Sequence, residues 1–301
     1  MKKSQYLVIV NPAANRGDAA KKIPALESLL NSRKVNYQML ITKKPGEATN
    51  LAKQAAKKRF KAVIAAGGDG TANEIANGLA KSNCPLGVIP MGSGNDFSKG
   101  LVLRKSDWQF NLDVIIRGRT KKIDLGLING RYFVNCVGLG FIGQINEFVK
   151  KSPAYLRGYT MYFYSVLRII KNYYPYRFKI CMKETGGQKK YQQGLYSICE
   201  VSNGKYVGGG FQLTPNAITD DGLLDVCLAD QLSRGYILRL LPLIMQGKHL
   251  GKPKIHFFQV KKIKVESDKI IPLQVDGEVM SRYKQIEIKV IPQALTVITN
   301  E

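Results

Sequence analysis

Four short apolar runs, YLVIVNP (6–12), NYQMLIT (36–42), KAVIAAGG (61–68) and PLGVIPMG (85–92), recur at intervals too long for hairpins. Between them lie DAAKKIPALESLL (18–30), GEATNLAKQAAKKRF (46–60) and TANEIANGLAKS (71–82), each with helical spacing of its apolar residues. Strands alternating with helices need crossover connections, so the pattern predicts a parallel sheet covered by helices. Ligands of such sheets bind beyond the carboxyl ends of the strands. Polar loops stand at three of those ends: NPAANRG, GGDGT and PMGSGND.

The texture changes from about Lys121. KKIDLGLINGRYFVNCVGLG reads as two strands around an Asn129-Gly130 hairpin turn. Strand-like runs follow in YRFKICMKE, KKYQQGLYSICEVSNG, GLLDVCLAD, KIHFFQVKKIKVES, IIPLQVDGEVM and KQIEIKVIP, with Gly and Pro between them. Two helical segments interrupt them, 154–171 and 233–246. The expectation is an α/β domain over 1–128 and a mostly antiparallel β-sandwich or open barrel over 129–301.

Basic residues outnumber acidic ones, 46 to 22, and the excess is spread along the chain. Nucleic acid, an anionic bilayer surface and anionic small molecules are all compatible with it; the plain alternative is lysine used for solubility. The five cysteines are scattered without a C-x-x-C pair, which fits a reducing cytoplasm and neither a zinc site nor a disulfide framework. His249 and His256 lack partners for metal binding. The longest charge-free stretch, Tyr132 to Asn146, has 15 residues. A spanning helix needs about 20, so none is expected; the apolar run in MKKSQYLVIVNP reads as a buried strand and not a signal peptide.

In GGDGTANE, Gly67, Gly68 and Gly70 leave backbone N–H groups uncovered. Thr71 and Glu74 fit a capping box, which puts a helix N-terminus directly after the loop. Such an end offers free donors and partial positive charge to phosphate. Asp69 would then need Mg²⁺ to bridge carboxylate and phosphate. A plain strand-to-helix turn is the alternative. The loop has neither the G-x-x-x-x-G-K-[ST] nor the G-x-G-x-x-G spacing. A second strand-end loop, VIPMGSGNDFSKGL (88–101), adds the Ser93 hydroxyl, Asn95 and Asp96.

GGDGTANEIANGL followed by PLGVIPMGSGNDFSKGL closely resembles the catalytic domain of the diacylglycerol kinase and sphingosine kinase superfamily, and most of all its soluble bacterial diacylglycerol/lipid kinases. NAD kinases and 6-phosphofructokinases share the G-G-D-G loop but lack G-N-D-F. The resemblance covers the whole chain. It implies an NAD-kinase/phosphofructokinase-like first domain and a β-sandwich second domain. ATP would be held by Asn11, Pro12, Ala13, Ala14, Asn15, Arg16 and Gly17, by Thr42, by Gly67, Gly68, Asp69, Gly70, Thr71, Ala72 and Asn73, and by Ser93. LTPNAITDDGLLDV (213–226) matches the family's metal loop, which carries over Mg²⁺ binding to Asp221 and the carbonyls of Ile218 and Leu223. Asp69, Asp96 and Asp124 would form the surrounding carboxylate and water network. In LQVDGEVM (273–280) the resemblance makes Glu278 the general base, with Asp69 its catalytic companion; on its own, VDGEV would be a hairpin turn with solvated charges.

The implied activity is transfer of the γ-phosphoryl of ATP to a lipid hydroxyl, diacylglycerol foremost, with ATP on the first domain and lipid in the second. The implied partner is a lipid at an anionic membrane surface, with no nucleic acid and with cytoplasmic, peripheral placement; a homodimer is compatible with it. In YLRGYTMYFYSVLRIIKNYYPYRF (155–178) tyrosines and basic residues interleave, which suits a bilayer interface; a helix packed on the β domain is the alternative. The paired Cys/His modules of eukaryotic diacylglycerol kinases are absent. The rival readings are a catalytically silent lipid- or nucleotide-binding regulator and a dinucleotide (NAD) kinase.

Overall fold

The computed structural model describes residues 5–300 except 59, 105, 150, 154, 281 and 282. Arg59 and Ala154, which belong to the expected helices 46–60 and 154–171, lie outside the described residues. The chain forms two units, one running to Ile123 and resuming at Gln293, the other spanning Asp124–Pro292. The closing segment, from Gln293, packs in the first unit.

The first unit runs β1 (Tyr6–Val10), α1 (Asp18–Lys21), α2 (Ile23–Ser32), β2 (Tyr37–Ile41), α3 (Glu47–Lys57), β3 (Ala62–Gly67), α4 (Asp69–Leu79), β4 (Leu86–Pro90), α5 (Asp96–Gly100) and α6 (Trp108–Arg117). β1 pairs in parallel with β2 on one side and β3 on the other, and β3 pairs with β4. The order β2-β1-β3-β4 therefore reverses direction at β1/β3, the place where open α/β sheets bind ligands. Every residue of β1, β3 and β4 is buried, as expected of parallel strands covered on both faces. The end of the chain's last strand adds Val297 beside Leu86, and Thr299 anchors it by donating to the Leu101 carbonyl.

One expected helix, 18–30, is two. Pro24 sits in the first turn of α2, and its ring excludes continuation from α1 across Lys22. α2 then buries Leu26 and Leu30, four residues apart on one face. α3 meets α4 through small residues: a side chain on Gly78 would come within 2.5 Å of the Thr49 carbonyl and 2.6 Å of Ala52 Cβ. α6 was not anticipated, although Asp107 caps it by accepting from the Phe110 N–H at 2.8 Å and Gly118 closes it with φ of 72°.

The second unit begins within β5 (Thr120–Ile128), which turns through Asn129 (φ 47°) and Gly130 (φ 80°) into β6 (Arg131–Phe133). Gly126 faces Phe133 across this hairpin because any side chain there would overlap the ring. Then come β7 (Cys136–Leu139), α7 (Phe141–Val149), α8 (Tyr159–Ile169), β8 (Tyr176–Lys183), β9 (Lys189–Ser202), β10 (Leu224–Asp230), α9 (Arg234–Met245), β11 (Ile255–Val260), β12 (Lys262–Ile271), β13 (Leu273–Val275), β14 (Glu278–Val279) and β15 (Tyr283–Ile298). The run 254–267, expected as one strand, divides at Lys261: β11 pairs with β10, whereas β12 pairs with β8 and β15.

Pairing within this unit is antiparallel. β9 joins it together: its first half pairs with β8 and its second half with both β7 and β10. Phe178, Val201, Val226, Val265 and Ile288 share one apolar core. Ile198, Cys227 and Ala229 lie in a second core, packed against Phe141 of α7, Val166 of α8 and Leu240 of α9. α7 is a third helix where two were expected. Gly143 lets it approach β13 closely, since a Cβ there would lie 2.4 Å from the Pro272 carbonyl oxygen. α8 is shorter than the expected 154–171 and ends in a 3₁₀ turn over Ile170–Asn172.

Candidate active site

The β1/β3 switch point is built from backbone. Asn11 extends the pairing of β1 by donating its N–H to the Ala66 carbonyl. Its side chain donates through Nδ2 to Thr71 Oγ1 at 3.1 Å and accepts from the Ala13 N–H at 3.0 Å. Beyond it Asn15, Arg16 and Gly17 are all left-handed, at φ of 52°, 59° and 87°. Three such residues in a row bend the chain sharply at the strand end. Thr42 is buried and spends its hydroxyl on the Val10 carbonyl.

The expected capping box does not form. α4 starts at Asp69, with Gly68 as N-cap and no side chain capping it. Thr71 is thus inside the helix and accepts from Asn11, while the Glu74 carboxylate caps α3 instead, accepting from the N–H groups of Gly46 (2.9 Å) and Ala48 (3.1 Å). A carboxylate prefers whichever N–H groups lack partners, and those at the start of α3 lay within its reach. Gly68, having no side chain, cannot cap the helix it begins.

The loop after β4 lies against it. A Cβ on Gly92 would fall 2.5 Å from Gly68 Cα, and one on Gly68 would fall 3.2 Å from Gly92 Cα. The two glycines thus let two strand-end loops touch along their main chains. Asn95, itself left-handed at φ 56°, fixes the second loop by accepting from the Gly92 N–H at 2.9 Å and donating to its carbonyl at 2.8 Å. Asp69 Oδ1 accepts from the Phe97 N–H at 2.9 Å, and Asp96 pairs with Lys99 at 2.8 Å. Ser93 is half-buried in the same loop.

In the second unit, carboxylates hold the backbone. The hairpin β13–β14 turns through Asp276 (φ 46°) and Gly277 (φ 82°). Asp276 is not a solvated charge. Its buried carboxylate accepts from the N–H groups of Val134 (2.8 Å), Asn135 (2.9 Å) and Cys136 (2.8 Å). Gln274 steadies the same turn by accepting from the Gly277 N–H at 2.7 Å. Glu278 follows, its side chain 45% exposed, with Oε2 2.7 Å from Arg131 Nη2. A pair this open contributes about 0–1 kcal/mol to stability; what it fixes is where the carboxylate points.

Asp124, fully buried at the start of the unit, clasps the loop of Asp221. Its N–H donates to the Thr219 carbonyl at 2.6 Å, and its Oδ2 accepts from the Gly222 N–H at 2.7 Å. Asp221 Oδ1 accepts from the Leu223 N–H at 3.0 Å. Burial raises the Asp221 carboxyl, and Asp124 and Asp220 raise it further. Among the described residues no three His, Cys, Asp or Glu side chains gather as metal ligands, so a cation here would draw on backbone carbonyls as well as Asp221. On β9, Glu200 lies opposite Gly138 and Cys227, wholly buried beside the Cys136 thiol, and burial pushes its carboxyl up to about 8.

Residues 5–128 match the family described as diacylglycerol kinase catalytic domain, and residues 135–299 match the YegS C-terminal NAD kinase beta sandwich-like domain. A protein named diacylglycerol kinase from Bacillus subtilis is 30% identical over 273 residues, covering 90% of this chain and 88% of the relative. One of the same name from Staphylococcus aureus is 32% identical over 278 residues, covering 90% and 85%. The chain belongs to the diacylglycerol kinase family. A solved structure described as a putative diacylglycerol kinase from Bacillus anthracis superposes with a TM-score of 0.79 at 28% identity, covering all of this chain and 98% of the other. Diacylglycerol kinase family membership makes this chain a lipid kinase with ATP as phosphoryl donor, and it agrees with an α/β unit joined to a β-sandwich.

Of the residues singled out from the sequence, the first unit brings together Asn11, Gly67 to Asn73 and the Ser93 loop. Asp69 and Asp96 share that unit, whereas Asp124 shares the second with Ile218, Asp221, Leu223 and Glu278. Sequence reasoning missed Gly92, Gln274, Asp276, Arg131 and Asn203 as members of these networks. Only Gly92 carried a signal, as the first glycine of the small-residue loop that closes a second strand.

Proposed function

We propose that this chain is a Mg²⁺-dependent kinase that transfers the γ-phosphoryl of ATP to the hydroxyl of diacylglycerol, giving phosphatidic acid. The observation that carries this is the glycine cradle at Gly68 and Gly92, set at a helix start in a member of this family. A glycine-lined loop at a helix start suits a polyphosphate. Asn11 and Thr71 shape one wall, and Ser93 supplies a hydroxyl.

The residues around Asp221 fit a hard divalent cation. They offer oxygen donors only, and burial together with Asp124 and Asp220 disfavours the ionised carboxylate until a cation neutralises it. Mg²⁺ bound there would involve Asp221 and the carbonyls of Ile218 and Leu223, with Asp124 holding the loop in shape. Its chemistry is to balance charge on phosphate oxygens. Glu278 is the proposed general base: a carboxylate oriented by Arg131 and open to solvent can take the proton of a primary alcohol. Asp69, fixed by the Phe97 N–H, orients groups at the phosphate end.

No helix among the described residues is long and apolar enough to cross a membrane. Access to a lipid would come through peripheral, cytoplasmic contact with an anionic bilayer. Tyr159, Phe163 and Leu167 lie exposed four residues apart along α8, with Arg157, Arg168 and Lys171 exposed beside them. The sequence has no Asp or Glu from 148 to 183. Aromatic and basic side chains on one face suit a headgroup boundary.

The test is labelled ATP with a total lipid extract and, separately, with NAD, for the wild type and Asp69→Ala. Label in phosphatidic acid that Asp69→Ala abolishes is the expected result. Label in NAD, or none in any lipid, would reject the proposal.

A further inference from the structure

The loop of Asp221 and the hairpin of Glu278 are tied to each other through one side chain. Asn203 follows β9 and is completely buried. Its Nδ2 donates twice, to the carbonyl of Asp124 at 3.0 Å and to the carbonyl of Val134 at 3.1 Å. Asp124 is the residue that clasps Thr219 and Gly222. Val134 is the first of the three N–H donors to Asp276, which shapes the turn before Glu278. The Asn203 backbone adds to the link by donating to the Asn135 carbonyl at 2.7 Å. The bonds therefore run from Gly222 through Asp124, Asn203, Val134 and Asp276 to the hairpin, all inside the second unit.

An asparagine suits this position for a chemical reason. Two carbonyls aimed at one atom require a donor with two hydrogens on a short, uncharged side chain. Aspartate would oppose both carbonyls with negative charge, serine could satisfy one, and leucine neither.

We propose that Asn203 is a positioning residue that couples the Ile218–Leu223 loop to the Asp276–Glu278 hairpin, so that cation binding and placement of the carboxylate are set together. The idea rests on the functional reading above only for what the two segments do; that they move as one is a separate physical claim. Spatial linkage alone does not establish such coupling, and a measured joint response does.

The experiment compares the wild type with Asn203→Leu, Asn203→Ser and Thr214→Val, using the metal-free full chain. Thr214 is equally buried and its hydroxyl bonds the nearby Gly204 carbonyl, but that hydroxyl contacts neither Asp124 nor Val134. Amide hydrogen exchange is followed at Gly222, which reports the loop, and at Val134 and Cys136, which report the Asp276 clasp. Asn203→Leu should lose protection at both sets together, Asn203→Ser should lose less at both, and Thr214→Val should leave both protected. With Mg²⁺ and ATP, Asn203→Leu should lower kcat and raise the half-saturating Mg²⁺ concentration together, each by about tenfold, as for groups that support metal ligands. Should Asn203→Leu fail to fold, Asn203→Ser decides. Loss of protection at one set alone, a fall in kcat with an unchanged Mg²⁺ requirement, or the same pattern from Thr214→Val would overturn the proposal. A joint exchange response in a protein whose wild type phosphorylates no lipid would leave the coupling standing and reject the function.

Discussion

In the first unit two strand-end loops meet along their main chains at Gly68 and Gly92, held by the amides of Asn11 and Asn95. In the second unit the candidate groups are side chains, Asp221 and Glu278, and other buried side chains grip the backbone to hold them. Atoms added at Gly68 or Gly92 are therefore expected to break the first arrangement, and loss of the buried acceptor Asp124 or Asp276 the second. The difference follows from the folds: parallel strands end in loops aimed the same way, whereas an antiparallel sandwich must borrow residues distant in sequence to brace each loop.

The largest effect separates chemistry from architecture. Glu278→Ala should lower kcat by about 10²- to 10⁴-fold, the range for a general base. The half-exposed side chain leaves little structural cost, so the thermal midpoint should scarcely move. Collapse of the fold in that variant would place Glu278 among the bracing residues instead.

Added atoms should break the first unit. Gly92→Ala drives a Cβ to within 2.5 Å of Gly68 Cα, and the displaced loop should cost about 10²-fold in kcat/KM for ATP. Gly100→Ala is the control, since nothing lies within 4 Å of its added Cβ. Equal kinetics for the two variants would dissolve the contrast between units.

A lost acceptor should break the second unit. Asp276→Ala strands the N–H groups of Val134, Asn135 and Cys136, which should cost about 3 kcal/mol or more in urea unfolding. Activity should fall with it, because the same carboxylate shapes the turn of Glu278.

The smallest effect on turnover is expected at Glu200. Its carboxyl is pushed from 4.5 up to about 8 by burial, so the folded state holds a proton that the unfolded chain releases. Stability is then full below pH 4.5 and falls as pH rises toward 8, by about 1.4 kcal/mol per unit at most. Glu200→Gln should flatten that slope and leave activity at neutral pH unchanged. An unaltered slope would mean that Glu200 finds a partner when ionised.

The parallel sheet and the polar loops at its strand ends were legible in the sequence because β1 and β3 are continuous apolar runs closed by asparagine and glycine. The capping box was misread for a local reason. Thr71 and Glu74 have the right spacing, but Gly68 already ends β3 extended, so the helix begins before Thr71, and Glu74 is drawn to α3. α7 was missed because FIGQINEFV continues an apolar, glycine-marked run, and only its packing against Pro272 distinguishes it from strand. The braces Asn203 and Asp276 left no trace in the sequence because their partners lie 69 to 142 positions away. Asp124 and Asp221 were legible only by resemblance, since nothing in their spacing predicts that one clasps the loop of the other.

The central claim is tested most directly by giving the purified protein γ-labelled ATP, Mg²⁺ and vesicles that contain diacylglycerol among other lipids. The account predicts labelled phosphatidic acid, formed only when diacylglycerol is present. ATP turnover that ignores the lipid, or label on any other acceptor, would contradict it.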